Sequence, residues 1–123
     1  MPAESTTTII SEVTGLGENR VFTDKFSTTT TPTLAAKNRQ IQAVADTDEI
    51  LNLCGISTIE KICLTCITND VDLDLDYVSS FDADLTVPEG ESVVITKPAG
   101  VVRIKNNDSA EQSTIDVLIV GSG

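Results

Sequence analysis

Two groups of side chains in this 123-residue sequence are of types that do chemistry. The first is Cys63-Leu64-Thr65-Cys66, a CxxC spacing, with one further thiol at Cys54. Thiols so spaced exchange disulfides where the pair opens a helix, and hold zinc where a second pair or a histidine completes the set. The second is a row of aspartates, Asp70, Asp72, Asp74 and Asp76, whose alternation is like the opening of an EF-hand calcium loop.

Neither group completes its pattern. The cysteines lie in Ile59 to Thr68, IEKICLTCIT, a β-branched stretch that reads as a strand, where residues three apart point to opposite faces. The sulfurs are therefore expected to diverge. An odd count of three with no export signal predicts free thiols in a reducing compartment, acting as buried structural cysteines. Counted from Asp70, the EF-hand glycine position holds Leu75 and the closing bidentate acid position holds Phe81. Alternate carboxylates along a strand also stand about 6.5 to 7 Å apart, too far for several neighbours to wrap one ion without help from a facing loop. The expectation is a solvated face that keeps a sheet soluble, with Asp72, Asp74 and Asp76 as a candidate acidic interaction face. A calcium site and a docking surface for a basic partner are the other readings of the same residues.

Composition removes further classes. The chain has no histidine, which excludes His-based triads, HExxH zinc sites and Cys2His2 fingers. Paired carboxylates can serve a glycosidase, but sugar sites usually stack rings on Trp or Tyr, and this chain offers Tyr77 and no tryptophan. A thiol nucleophile would lack both a histidine and a helix N-terminus to activate it. No catalytic residue, metal ligand or cofactor is assigned, and the expectation is a non-enzymatic protein. A net charge of -11 and a pI near 4.1 argue against nucleic acid, whose phosphates need clustered Lys and Arg. Eight of the acids fall between Ile62 and Thr96, where there is no Lys or Arg. No apolar run approaches the roughly 18 residues of a membrane span, and MPAESTTTII lacks a signal-peptide layout, so no membrane partner and no general export are expected.

The elements that must carry these residues are strands. Val and Ile number 24 against 9 Leu, a bias toward a pleated surface. Arg39 to Ala45 places Ile41, Ala43 and Ala45 on one face, Asp46 to Glu49 reads as a turn, and Ile50 to Cys54 as a short strand. Ile62, Leu64 and Cys66 share one face of the next segment while Ile59, Cys63 and Ile67 lie mostly on the other, the pattern of a central strand covered on both sides. Val71 to Tyr77, VDLDLDY, alternates cleanly and predicts one buried and one wet face. Strands over Leu85 to Val87, Ser92 to Thr96, Val101 to Lys105 and Thr114 to Val120 follow, separated by turn residues, before a Gly-Ser-Gly tail. Seven or eight short strands at this spacing predict an all-β, antiparallel β-sandwich, jelly-roll or Ig-like, over residues 34–123.

Residues 1–33 differ. Ile9, Ile10, Val13, Val21, Phe22 and Phe26 are sparse among threonines, which favour extended backbone but add little apolar surface. This segment is expected to be an extended N-terminal arm or edge strands, with Thr6, Thr7, Thr8, Thr28, Thr29, Thr30 and Thr31 as candidate docking residues. An arm needs a surface to lie on, and so points to oligomerisation or docking.

Residues Leu85 to Gly121, LTVPEGESVVITKPAGVVRIKNNDSAEQSTIDVLIVG, make up about a third of the chain. They resemble the C-terminal half of small β-sandwich structural proteins of phage virions, of the head-decoration and capsid-associated kind. The likeness lies in two proline-glycine turns around a Val/Ile strand, an R-I-K-N-N strand leading to a polar loop, and a final Val/Ile strand ending in glycine. It implies a virion component made in the host cytoplasm and docked on a capsid or tail lattice protein. It also implies a homo-oligomer of its own copies, with a trimer favoured. The alternative expectation is a calcium- or carbohydrate-binding adhesive β-sandwich module.

Overall fold

The computed structural model describes residues 5–17, 20–27, 32–42, 48–106 and 111–123. The chain divides into two compact units, Met1–Thr33 and Leu34–Gly123. The described elements are all strands, every pairing between them is antiparallel, and no helix is long and apolar enough to cross a membrane.

The first unit is a hairpin of β1 (Thr6–Val13) and β2 (Arg20–Ser27), in register from Thr6 opposite Ser27 to Val13 opposite Arg20. Its turn carries Gly15 at φ 88° and Gly17 at φ 96°, left-handed conformations that cost glycine nothing. Among its described residues the second unit, the body, contains eight strands: β3 (Leu34–Gln42), β4 (Glu49–Ile50), β5 (Thr58–Thr68), β6 (Val71–Tyr77), β7 (Leu85–Val87), β8 (Ser92–Thr96), β9 (Val101–Asn106) and β10 (Ser113–Ser122). They form two four-stranded sheets in the orders β3-β10-β5-β8 and β4-β9-β6-β7. Four of the pairings are nested: β6 with β7, β5 with β8, β4 with β9 and β3 with β10. The body is thus one long antiparallel ribbon folded back at the β6–β7 connection. Pairing of β10 with β5 and of β6 with β9 rolls that ribbon into two layers.

One aliphatic core lies between the layers. Ile62, Leu64 and Cys66 of β5, Ile115, Val117 and Ile119 of β10 and Ile95 of β8 meet Val71 and Leu73 of β6, Val87 of β7, and Val102 and Ile104 of β9. Leu51 and Ile56, from the connection before β5, join the same cluster. The period-2 alternation of each strand aims these branches inward, and full burial of each contributes about 1.5 to 3 kcal/mol. The all-β, antiparallel sandwich expected over residues 34–123 is the observed architecture.

Several expectations shift in detail. β5 is interior to its sheet, as its two-sided pattern predicts, and Ile62, Leu64 and Cys66 are buried. Its other face is only partly covered, with Ile59 and Cys63 half-buried and Ile67 exposed. The stretch Ile50 to Cys54 is not a strand beyond Ile50: Leu51 adds one backbone bond to Val102, and the chain then turns at Cys54 and Gly55, both at positive φ. Ile41 is exposed, while Ala43 and Ala45 lie outside the described residues. The Gly-Ser-Gly tail is largely strand, since Gly121 and Ser122 continue β10 opposite Ile59 and Thr58.

Gly121 shows why glycine ends this strand. A Cβ there would stand 1.9 Å from the Thr58 carbonyl oxygen and 2.9 Å from Cγ2 of Ile56. Gly121→Ala is therefore expected to cost about 3 kcal/mol or more in denaturant unfolding, as a backbone clash that no rotamer relieves. Gly90→Ala, at φ +84° but with open space around it, should cost only about 1 to 2 kcal/mol. Equal losses at the two positions would show that the β5–β10 contact is looser than described.

Candidate functional site

The folded-back end of the ribbon gathers carboxylates. β6 follows its alternation through Leu73 and then departs from it: the register with β9 shifts between Asp74 and Tyr77. Beside the shift, Asp74 is 1% exposed, whereas Asp72 is half-buried and Asp76 exposed. The solvated face expected of Asp72, Asp74 and Asp76 is therefore broken at its middle member. The cause is the irregularity in the strand, which turns one acid off the wet face, as bulges do.

Asp74 is buried because its oxygens replace lost ladder partners. Oδ1 accepts from the backbone N–H of Asp76 at 3.1 Å and Oδ2 from that of Asp82 at 3.0 Å. Asp84 does the same from the other strand of the tip, accepting the N–H of Leu75 on Oδ2 at 2.7 Å while its own N–H donates to the Leu73 carbonyl at 2.7 Å. Gly100 donates to the Leu75 carbonyl at 3.1 Å, and a Cβ on it would sit 3.1 Å from Cα of Asp76. Single ligand oxygens of Asp74, Asp76 and Asp84 lie within 4.8 Å of one another, a separation a cation bound to oxygen can bridge.

Arg103 of β9 stands opposite Asp74 in the β6–β9 ladder. Its guanidinium lies 4.5 Å from the Tyr77 ring centroid, donates Nη2 to the Asp48 carbonyl at 2.9 Å, and pairs through Nε with the Asp48 carboxylate. Electrostatics separate the acids. The N–H of Asp82 holds the Asp74 carboxyl below its usual range; burial opposes this, and the Asp76 N–H and the charge of Arg103 assist it. The Asp76 carboxyl is raised, first by its hydrogen bond with Asp74 and then by the charge of Asp84. Asp74 is thus the structural anion, and Asp76 the acid that carries the repulsion. Asp72 accepts Oγ1 of Thr86 at 2.5 Å across the β6–β7 pair.

A second cluster of polar side chains joins three turns at the end of the body where β5 meets β6. Asn69, at φ 57°, donates Nδ2 to the Gln112 carbonyl at 2.7 Å. Its own carbonyl accepts Oγ of Ser113 at 3.0 Å and Sγ of Cys66 at 2.8 Å. Asp70 accepts the N–H of Glu89 at 2.9 Å. This knot immobilises turns and presents no open reactive group.

The cysteines separate as strand geometry requires. Cys63 is half-buried and Cys66 buried, all three are free, and burial, followed by the charges of Asp70 and Glu89, pushes the Cys66 thiol up, away from a nucleophilic thiolate. Cys54 departs from expectation: it is exposed on a turn, with Asn38 Nδ2 donating to its sulfur at 2.8 Å. Of the threonines expected to dock, Thr6 and Thr8 are exposed on β1 and Thr7 is buried, while Thr28, Thr29, Thr30 and Thr31 lie outside the described residues. Sequence reasoning counted Asp82 and Asp84 only as part of an acidic stretch. Their tie to Asp74 and Leu75 follows from the β6–β7 pairing, which a Pro-Glu-Gly turn after Val87 only hints at.

Comparison with known protein families, with curated proteins and with solved structures finds no match.

The opposite shifts of Asp74 and Asp76 have opposite signs for stability. Asp76 is raised above its unfolded value, so its favourable contribution is present below the ordinary carboxylate range and is lost as pH rises through its folded pKa. Asp76→Asn is expected to raise the melting temperature at neutral pH, with the gain vanishing in acid. Asp74 is lowered, so its contribution is present above the ordinary range and lost as pH falls. Asp74→Ala should lower the neutral-pH melting temperature markedly. Melting curves of both variants across pH check this, and a loss in Asp76→Asn at neutral pH would contradict it.

Proposed function

We propose that this chain is a non-enzymatic structural protein of a phage particle that decorates or stabilises a capsid or tail lattice through protein–protein contacts. The observation that carries the reading is the chain's division of labour: a body sealed around aliphatic branches, and a separate two-stranded hairpin that leaves large apolar side chains in water. Ile10, Leu16, Val21 and Phe22 are 57–69% exposed there. An isolated two-stranded hairpin is marginal in water, so such side chains are better explained by a surface they meet.

Two further features support it. The nested strand pairing of the antiparallel sandwich is compatible with a double-sheet jelly roll, an architecture that recurs in viral capsid and lectin domains, and this support is one of fold analogy. The chemistry of the described residues also favours binding over catalysis. The chain has no histidine, the Cys66 thiol is held up, and Arg103 is occupied by Asp48 and Tyr77. Many copies on a lattice let modest contacts sum to firm attachment. Co-sedimentation with assembled shells tests the reading: saturable binding to shells and none to disassembled subunits is expected. Equal binding to both, or to neither, would overturn it.

A second reading, a calcium-binding adhesive module, is favoured by the single grouping of Asp74, Asp76 and Asp84. It expects calcium to raise the melting temperature and expects Asp76→Asn to abolish that rise. No shift in the parent protein removes it.

A further inference from the structure

We propose that the free long side of β3 is a docking site for a partner protein, which adds to it an extended strand carrying carboxylates at every second residue. The inference stands apart from the virion reading above, since it names the chemistry of a contact and not the particle that supplies it.

The four outermost strands of the body are unlike. β4 has two residues, β7 three and β8 five, while Pro88 directly follows β7 and Pro98 closely follows β8. Short edges and prolines keep a sheet from pairing with other chains. β3 has nine residues with no proline among them, and it pairs with β10 position for position from Leu34 to Gln42 without a bulge. Its other long side has no strand partner among the described residues. The strand is also anchored: Gln40 donates Nε2 to the Asn52 carbonyl at 2.9 Å and accepts the Asn52 N–H at 3.3 Å, and Asn38 donates Nδ2 to Cys54. The edge is therefore an unbroken, pre-formed row of backbone donors and acceptors, the template on which an added strand builds.

Side chains along that row select the strand. Ala35, Lys37, Arg39 and Ile41 alternate onto one face and all are exposed. In a chain of nineteen acids and eight bases, β3 holds two bases and no acid. Asp116 of β10 accepts Nε of Arg39 at 2.8 Å and Nη2 at 3.2 Å, which orients the guanidinium and leaves the strip net positive. Directly opposed residues of an antiparallel pair bring their Cβ atoms to about 4.5 to 5.5 Å. Lys37 and Arg39 thus call for two carboxylates two residues apart, with an apolar residue beyond each, opposite Ala35 and Ile41.

The same rule excludes a second copy as the occupant. Two β3 edges running antiparallel in full overlap, centred on Asn38, set Lys37 against Arg39, like charges in direct opposition. Alternate aspartates do occur on β6, but β6 is enclosed between β9 and β7 and has no edge to offer. Among the described residues, no outermost strand of the body and neither strand of the hairpin carries two acids at alternate positions. The complementary strand is therefore foreign.

The test titrates the full chain with an end-capped seven-residue peptide that has valine at its first and last positions, glutamate at its third and fifth, and threonine between. Saturable binding at low salt is expected, with slowed amide hydrogen exchange over Leu34–Gln42, and the same peptide with lysine for glutamate should not bind. Lys37→Glu, on an exposed side chain, is expected to weaken the glutamate peptide about fivefold or more with the melting transition unchanged. Methylating peptide nitrogens separates strand addition from charge attraction alone: an added strand pairs along one long side, so methyl groups on one alternate set abolish binding and on the other set leave it intact.

Failure of the glutamate peptide to bind, equal binding of the lysine peptide, or indifference to Lys37→Glu overturns the proposal. Equal effects of the two methylated sets, or exchange protection that falls outside β3, does the same.

Discussion

β10 is hydrogen-bonded along both edges, to β3 on one side and β5 on the other, while Ile115, Val117 and Ile119 point into the space between the layers. Every other feature of the body depends on that placement. β3 has no other strand partner among the described residues, and without β10 the sheet would be reduced to β5 and β8. The close approach of Gly121 to Thr58 and the bond from Ser57 N–H to the Ser122 carbonyl lock the last residues of the chain to the start of β5. The constraint is steric as much as apolar: two backbones meet where no side chain fits.

Inside that frame the core is built almost without rings. Its buried members are branched aliphatics of moderate size, which pack as many small contacts and contribute without a polar handle. Polar groups that enter the interior are anchored. Asp74 receives two backbone N–H groups, and Asn106, fully buried, donates Nδ2 to the Glu111 carbonyl. These satisfied groups hold the shift in β6 and the end of β9, where the ladder itself supplies too few partners.

How much of this could be read beforehand depends on range. The alternation of Val71, Leu73 and their aspartates is a local signal and is legible, as is the interior place of β5 from its two-sided apolar pattern. Asp74 was misread because its burial is decided by Asp82, reached only after the chain has turned back. Gly121 and Ser122 look like a flexible tail, since glycine and serine weaken a strand on their own, and only the carbonyl of Thr58 explains why glycine stands there. Cys54 was expected to be a buried structural cysteine like the other two, yet Leu51 and Leu53 turn inward while the chain bends at Cys54 itself. The role of Asp84 was invisible for the same reason as that of Asp82: ten residues separate it from Asp74, and the contact exists only once β7 has paired.

The nested order of pairing also sets the sequence in which contacts are cheap to make. Joining β6 to β7 closes only residues 78–84, whereas joining β3 to β10 closes everything from residue 43 to residue 112. Loop-closure entropy rises with that span, and proteins dominated by distant pairings reach the native state slowly. The ribbon's bend is thus the least costly place to begin, and it is also where like charges crowd most closely. Assembly of the body has to start against electrostatic repulsion, so dissolved salt, by screening those carboxylates, acts on the speed of the first step before it acts on the finished fold.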